Sequence, residues 1–217
     1  QATCESEGYY WYNEGCHTEQ QSEDTTSPSV EIPSGAQEIG KTEKFVIYQE
    51  PTEEATSYRI FKVNSRTGQK VELKSLNYSH ETNANFHLSP DGEYIARASF
   101  YGKPGSIKLL SLEEEKDPTT LVETDSETLI QMKWGEDSSR IAYWTVNRGQ
   151  SSNPPYEVYL IDLDETPITP NLLKTYNDMT RQGKITLQEV RTSEIHLKRA
   201  KATNGGTPDW IEDTISF

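Results

Sequence analysis

The sequence predicts an all-β protein built from repeated antiparallel units, and three observations support this prediction. Residues 86–96 (FHLSPDGEYIA) have a gap-free echo 46 residues later, within residues 132–143 (MKWGEDSSRIAY). Each copy is followed by a further apolar segment, SIKLLSL at residues 106–112 and YEVYLIDL at residues 156–163. Neither copy sustains apolar residues at i, i+3, i+4 and i+7, as an amphipathic helix requires. The repeated unit is therefore a set of strands joined by turns.

The link between the first two strands of the unit has the chemistry of a tight turn. Pro90 presets φ, Asp91 can accept hydrogen bonds from nearby backbone amides, and Gly92 tolerates positive φ. In the second copy only the aspartate is kept, as Asp137. The second turn is therefore less strongly specified by its sequence.

The spacing and content of the repeat are typical of propeller blades, which contain several short strands in about 40 to 50 residues. Residues 86–96 and 132–143 resemble the blades of TolB-like, WD-repeat-related β-propellers, which carry a Trp-Ser-Pro-Asp-Gly-x-x-Ile-Ala-Phe/Tyr pattern. Leu88 replaces the tryptophan in the first copy, and the turn is altered in the second. The resemblance implies a propeller fold, which many functions share.

Two fainter units extend the repeat toward both ends of the chain. Residues 44–48 (KFVIY) and 58–63 (YRIFKV) look like the second and third strands of an earlier blade, with a turn at residues 65–68. Residues 210–217 look like residues 134–143 with two residues deleted. We therefore expect about four four-stranded blades in residues 38–217. They form either a partial propeller or a ring closed by the first and last strands.

The acidic charge is concentrated before this repeat. Residues 1–43 contain nine acidic residues and one basic residue, which gives −8 of the net charge of −14. Such a balance disfavours nucleic-acid binding, because phosphate contact needs clustered lysine and arginine. Residues 1–37 are also too polar to bury enough apolar area, so they are predicted to be a disordered arm. No apolar run approaches the length of a membrane helix, so a membrane link requires an anchor outside this chain.

Cys4 and Cys16 are the only cysteines, and they flank an aromatic run at residues 9–12. Two cysteines around aromatic residues predict a small disulfide loop in the arm. A disulfide implies an oxidising compartment, so we expect a periplasmic, cell-surface or secreted protein. Two free thiols are the alternative. A zinc site with His17 would lack a fourth ligand and the usual short cysteine spacing.

Residues 35–42 (GAQEIGKT) match the phosphate-binding pattern G-x-x-x-x-G-K-[ST], but the match is interpreted as chance. A phosphate loop must follow a buried strand and open a helix. Residues 27–34 are short and interrupted by proline, and residues 43–48 are β-like. The sequence contains no Gly-x-Ser-x-Gly elbow and no metal-ligand spacing. We therefore expect no catalytic residue, no metal site and no cofactor.

Candidate binding residues come from three features. Trp144 and Tyr156 belong to an aromatic-rich blade and would form a platform for sugar or peptide if exposed; core packing between blades is the alternative. Arg148 lies in an insertion at residues 147–155, which is either a projecting binding loop or structural filler. Lys198 and Arg199 belong to a basic stretch at residues 181–201, which is either a docking patch or a solvated strand face.

The resemblance therefore implies a noncatalytic protein-interaction or ligand-binding propeller module outside the cytoplasm, with a protein or cell-envelope partner. The alternative is a propeller domain associated with a hydrolase, because similar blades cover the active sites of serine peptidases of the prolyl-oligopeptidase type. In that case the catalytic part is not within this sequence.

Overall fold

The computed structural model describes residues 10–12, 15–17, 31–53, 57–79, 84–99, 105–113, 117–124, 128–147, 155–179, 184–201 and 209–217. Their regular secondary structure is β-strand, apart from one short 3-10 turn at Lys74–Leu76. No helix in these ranges is long and apolar enough to cross a membrane. The predicted all-β class is confirmed.

Blades 1 and 2 are antiparallel sheets whose strands follow the order of the chain. Blade 1 comprises β3 (Gln37–Lys41), β4 (Phe45–Pro51), β5 (Ser57–Asn64) and β6 (Lys70–Glu72), and the short β7 (Tyr78–Ser79) also pairs with β5. Blade 2 comprises β8 (Ala84–Leu88), β9 (Tyr94–Ser99), β10 (Ser106–Ser111) and β11 (Thr119–Glu123).

Blade 3 is a four-stranded sheet and blade 4 is three-stranded. Blade 3 comprises β12 (Thr128–Trp134), β13 (Arg140–Asn147), β14 (Tyr156–Asp162) and β15 (Asn171–Tyr176). Blade 4 comprises β16 (Ile185–Val190), β17 (Glu194–Lys201) and β18 (Asp209–Ser216). In the arm, β1 (Tyr10–Tyr12) pairs with β2 (Gly15–His17). Residues 31–37 of the arm are also described, and Ile32 and Ala36 pack against a cluster of Tyr48, Phe61 and Val63. The remaining residues of the predicted disordered arm lie outside the described ranges.

The blades stack face to face, because successive side chains of a strand point to opposite faces of its sheet. On β9, Ile95 packs toward blade 1 in a cluster with Ile47 and Ile60. The next residue, Ala96, packs toward blade 3 in a cluster with Trp134 and Ile141. A third cluster joins blades 3 and 4. Strands in the middle of the stack are buried on both faces, which is why they contain adjacent apolar residues such as Ile95 and Ala96.

The two copies of the repeat form equivalent turns. Asp91 Oδ1 accepts a hydrogen bond from the Glu93 amide at 3.0 Å, and Asp137 Oδ1 accepts one from the Ser139 amide at 3.1 Å. Gly92 has a φ of +75°, and Ser138, its equivalent, has a φ of +60°. The turn role predicted for both aspartates is confirmed, and Ser138 adopts the left-handed conformation without being glycine.

The two turns are also bonded to each other across the blade interface. The Asp91 amide donates to Ser138 Oγ at 2.9 Å, and the Trp134 indole Nε1 donates to the His87 carbonyl at 3.1 Å. Both bonds use polar atoms that are part-buried, where an unpaired group would be costly. The repeat is therefore a stacking unit, and each copy contributes polar groups to its neighbour.

One detail of the predicted repeat is wrong. The repeat predicts that residues 210–217 start a further blade, but β18 is a continuous strand that pairs with β17 from Glu194↔Ser216 to Lys201↔Asp209. The two-residue deletion removes the turn, and residues 210–217 contain no glycine or proline to make another. Within the described residues no strand of blade 1 pairs with blade 4, so the array is open.

Candidate binding site at the turn end of the blades

A groove runs along blades 2 and 3 at the end that carries the turns at residues 89–93 and 135–139; we call it the turn-end groove. It consists of two adjoining hollows with volumes of about 480 Å³ and about 380 Å³, which share Glu93, Tyr94 and Leu109. The larger hollow lies between the two turns of the repeat. The same turn chemistry that joins strands therefore also builds the walls of the groove.

The walls of the groove are acidic. Six carboxylates line its two hollows, and no lysine or arginine is among the described lining residues; the carboxylates are Asp91, Glu93, Asp137 and Asp164 in the larger hollow and Glu113 and Asp117 in the smaller one. In a chain of net charge −14, this arrangement gives the groove a negative potential.

Two of these carboxylates are neutralised by partners within the chain. Lys44 pairs with Glu113, and this hydrogen bond and charge lower the pKa of the Glu113 carboxyl. Arg140 pairs with Asp137 and, at 3.2 Å, with Asp162. The remaining four, Asp91, Glu93, Asp117 and Asp164, form no ion pair with any residue in the described ranges, although Asp91 accepts turn hydrogen bonds from the Ser89 hydroxyl and the Glu93 amide.

The floor of the groove is apolar. Tyr94, Leu109 and Leu163 pack against the cluster between blades 2 and 3. Ile168, on the loop between β14 and β15, is 36% exposed at the edge of the larger hollow. An apolar floor beneath acidic walls can bind a chain that carries both aliphatic surface and positive charge.

The described residues offer no catalytic constellation in this groove. His196, which contacts Glu194 at 2.8 Å and Thr214 at 3.4 Å, lies on blade 4 and not among the groove residues. Within the described ranges no group of three or more His, Cys, Asp or Glu side chains could hold a metal ion. The chemistry that the groove supports is binding through charge and apolar contact.

Trp144 and Tyr156 are placed in the core and not at the surface. Trp144 is 6% exposed and Tyr156 is 0% exposed. Their ring centroids lie 5.7 Å apart, and the Trp144 indole donates to Gln131 Oε1 at 2.9 Å. Both faces of blade 3 are covered by neighbouring blades, so these rings form no exposed platform. The structure therefore agrees with the alternative interpretation, in which the two rings pack in the core between blades.

The guanidinium of Arg199 is bound by other side chains of the same chain. Its guanidinium lies 4.5 Å from the Tyr176 ring centroid, and its Nη1 donates to both carboxylate oxygens of Asp178 at 2.8 and 2.9 Å. Tyr176 in turn donates to Asp213 at 2.8 Å; burial and this carboxylate raise the pKa of the Tyr176 phenol. Arg199 therefore joins blades 3 and 4, and it is not available as part of a docking patch.

The other predicted site residues are neither confirmed nor contradicted by their positions. Lys198 lies on the opposite face of β17 from Arg199, in register with Thr186 and Glu212, and forms no ion pair with a described residue. Arg148 and Cys4 lie outside the described residues, while Cys16 is in β2, in register with Trp11. The disulfide and the projecting insertion loop therefore remain predictions.

The phosphate-loop pattern does not form a phosphate site. Gly35 lies in a turn, Lys41 ends strand β3, and Thr42 Oγ1 accepts hydrogen bonds from the Phe45 and Lys44 amides at 2.9 and 3.2 Å. The threonine hydroxyl therefore closes the β3–β4 turn, and the strand β4 follows it where a phosphate loop requires a helix. The interpretation of this pattern as chance is confirmed.

The sequence interpretation missed the free acidic residues of the groove. Glu93 and Asp164 lie beside turns for which the sequence indicates only structural chemistry, and Asp117 lies in an acidic segment, residues 113–117 (EEEKD), that matches no motif. Acidic residues after equivalent strands meet at one end of stacked blades. That regularity could have identified the groove.

Comparisons with known proteins support the fold. No protein-family model matches the chain, and no curated protein sequence matches it. Three solved structures match with TM-scores of 0.56, 0.56 and 0.55: the Pyrococcus horikoshii acylaminoacyl peptidase (13% identity, 83% of this chain, 30% of that chain), a Mycobacterium tuberculosis puromycin-hydrolyzing peptidase (12%, 84%, 28%) and the β-propeller domain of the Trilobed protease from Pyrococcus furiosus (15%, 86%, 58%).

This chain spans less than two thirds of each of those structures. At such low sequence identity the likeness concerns the fold alone. The stacked antiparallel blades and these neighbours together establish that the chain has the β-propeller fold, in an open array.

Proposed function

We propose that this chain is a noncatalytic propeller module that binds a protein or cell-envelope partner in the turn-end groove. The observation that carries the proposal is an apolar floor beneath acidic walls, four of whose carboxylates have no ion-pair partner in the described residues. The occupant that fits is a segment with lysine or arginine beside aliphatic side chains. The acidic walls oppose a nucleic-acid partner.

A pull-down from native envelope or medium tests this proposal. The groove variant, Glu93→Gln with Asp164→Asn, removes two exposed charges from the walls. The control variant, Glu53→Gln with Glu123→Gln, removes two exposed charges at the opposite end of the blades. We expect wild type and control to retain the same partner and the groove variant to lose about tenfold in affinity. Equal retention by all three proteins, or no retained partner, contradicts the proposal.

The finer family assignment and the location are also part of the proposal. The blade pattern in residues 86–96 supports a TolB-like propeller, and the two cysteines around an aromatic run support an oxidising, extracytoplasmic compartment. Alkylation of the native protein with and without prior reduction measures the state of Cys4 and Cys16. Protection that reduction removes supports the location, whereas two thiols that react at once in the unreduced protein contradict it.

A second candidate is a propeller domain that serves a peptidase, since the structural neighbours are peptidases and a protease propeller domain by name. On this hypothesis the blades restrict access to a catalytic domain supplied by the same polypeptide or by a partner. Labelling of the native polypeptide and its captured complex with a fluorophosphonate, which reacts with active serines, separates the two candidates. A labelled serine hydrolase joined to this chain favours the second, and an unlabelled complex favours the first.

A further inference from the structure

Blades 2 and 3 carry different side chains at one equivalent pair of positions, which lies outside the turn-end groove. In blade 3, Tyr143 of β13 faces Tyr159 of β14 in register, and their rings stack with centroids 5.0 Å apart and an interplanar angle of 8°. In blade 2 the equivalent pair is Arg97 of β9 and Lys108 of β10. A stacked neutral pair is thus replaced by two cations that lie side by side.

Neither of these cations forms an ion pair with a described residue. Side chains that face each other across antiparallel strands lie on the same face of the sheet, and like charges there are destabilising. Arg97 Nε is buried and has no hydrogen-bond partner in the described part of the chain. Lys108 is half-buried and forms no ion pair with a described residue. A buried guanidinium nitrogen without a hydrogen-bond partner is costly.

Four of the five other arginines in the described residues pair with at least one carboxylate: Arg140 with Asp162 at 3.2 Å, Arg191 with Glu189 at 2.8 Å, Arg199 with Asp178 at 2.8 Å and Arg59 with Glu50 at 3.9 Å. The fifth, Arg66, is exposed to solvent. The chain has 35 acidic residues and 21 basic ones, so carboxylates are abundant. The Arg97 guanidinium lies 5.8 Å from the Tyr78 ring centroid, and no described carboxylate forms an ion pair with it.

The surroundings of Arg97 suit an organic anion. The Tyr78 ring stacks on Tyr58 at 5.0 Å and contacts Phe86 at 5.4 Å, so an aromatic wall stands beside the guanidinium. Farther along the same face, the hydroxyls of Ser99 and Ser106 lie 2.7 Å apart and add polar groups. A guanidinium binds a carboxylate through two parallel hydrogen bonds, and aromatic rings pack against the apolar body that bears it.

We infer that Arg97 and Lys108, together with the aromatic wall of Tyr78 and Phe86, form a binding site for a carboxylate attached to an apolar or aromatic body. The site lies in the interface of blades 1 and 2, at the opposite end from the turn-end groove, so it is independent of the proposed function. Its carboxylate comes either from a free organic acid or from an acidic side chain of a peptide.

The test is a titration of the full chain followed by the arginine Nε–Hε signals in a proton–nitrogen correlation spectrum. The Arg97 signal is identified by its absence in Arg97→Lys. The probes are 3-phenylpropionate, the capped tripeptide acetyl-Phe-Glu-Phe-amide, neutral 3-phenylpropionamide and inorganic phosphate. We expect the chemical shift of the Arg97 signal to change with 3-phenylpropionate and with the tripeptide until it saturates. The probe with the lower Kd identifies the source of the carboxylate. A response to phosphate alone, or an equal response to the neutral amide, overturns the inference.

Variants separate a binding role from a structural one. We expect Kd for the tighter carboxylate probe to rise at least about tenfold in Arg97→Gln and about threefold in Lys108→Gln. The matched control, Arg66→Gln with Lys74→Gln, changes two exposed cations of blade 1 and should leave Kd within about twofold. If Arg97→Gln does not fold, Arg97→Lys and Lys108→Gln carry the comparison. Equal weakening by the control overturns the inference.

Discussion

Blades 2 and 3 carry the same repeated unit, and they differ where the repeat meets its neighbours. The apolar positions match: Ile95 and Ile141 are both fully buried, and so are Ala96 and Ala142. The polar positions diverge: Gly92 becomes Ser138, and the Arg97–Lys108 pair becomes a tyrosine stack. Packing between blades thus constrains the apolar positions. The diverging positions can vary, and they line grooves and charged sites.

The largest expected effect is at the turn that keeps its glycine. Gly92 has a φ of +75°, and Gly92→Ala places a methyl group 2.5 Å from Thr42 Cγ2. Thr42 cannot move away easily, because its hydroxyl is hydrogen-bonded within the β3–β4 turn. We expect a loss of about 2 to 4 kcal/mol in the free energy of unfolding. At the equivalent position, Ser138→Ala loses one hydrogen bond and about 1 kcal/mol.

Urea unfolding followed by circular dichroism measures both variants. The ratio of the two losses is the informative quantity, because it compares equivalent positions in one fold. Equal losses would mean that the two turns do not lie in different surroundings.

The next effect concerns the residue that distinguishes the two copies before the turn. Trp134→Leu makes blade 3 resemble blade 2, where Leu88 holds this position. The variant loses buried aromatic area and leaves the His87 carbonyl without its indole donor. We expect a loss of about 2 to 3 kcal/mol, measured by the same unfolding experiment. A change below about 0.5 kcal/mol would show that the interface bond contributes little.

These positions also show how far the sequence determines the structure. The turn roles of Asp91 and Asp137 can be predicted because turn chemistry is local and needs only neighbouring residues. The role of Arg199 cannot, because its partners Asp178 and Asp213 come from β-strand pairing and stacking that bring distant segments together. Trp144 and Tyr156 illustrate the same limit, since exposure depends on which face the next blade covers.

The acidic groove could not be predicted either, because it also depends on segments that are far apart in the sequence. Glu93 and Asp164 are separated by a whole blade in the sequence, and only the stacking of blades 2 and 3 places them along one hollow. The strand order and the approximate extent of the blades could be predicted, because alternation and turn residues recur locally. The assignment of β18 failed where a turn was deleted, since the alignment alone could not tell one strand from two.

The smallest effect is confined to high pH and concerns the tyrosine pair of blade 3. Burial, together with neighbouring Glu157, raises the pKa of Tyr159 to about 12, and burial also raises the pKa of Tyr143. An unfolded tyrosine ionises near pH 10, so the folded chain holds protons that the unfolded chain releases above this pH. This contribution to stability is therefore complete below pH 10 and is lost as the pH rises toward 12.

Unfolding of wild type and of Tyr143→Phe with Tyr159→Phe between pH 8 and pH 11.5 measures this loss. The difference in the free energy of unfolding should be constant below about pH 9 and should shift against wild type above pH 10. A difference that does not change with pH would contradict burial of the stacked pair.

The two like units stack so that the tryptophan of the second repeat bonds to the first. Hydrogen exchange of the tryptophan indoles, read by NMR with Trp134→Leu to assign the signal, tests this most directly. Trp134 is 7% exposed and donates to the His87 carbonyl, whereas Trp210 is 48% exposed on β18. We predict that the Trp134 indole proton exchanges at least about a hundredfold more slowly than that of Trp210. Equal exchange at the two sites would contradict the stacked arrangement.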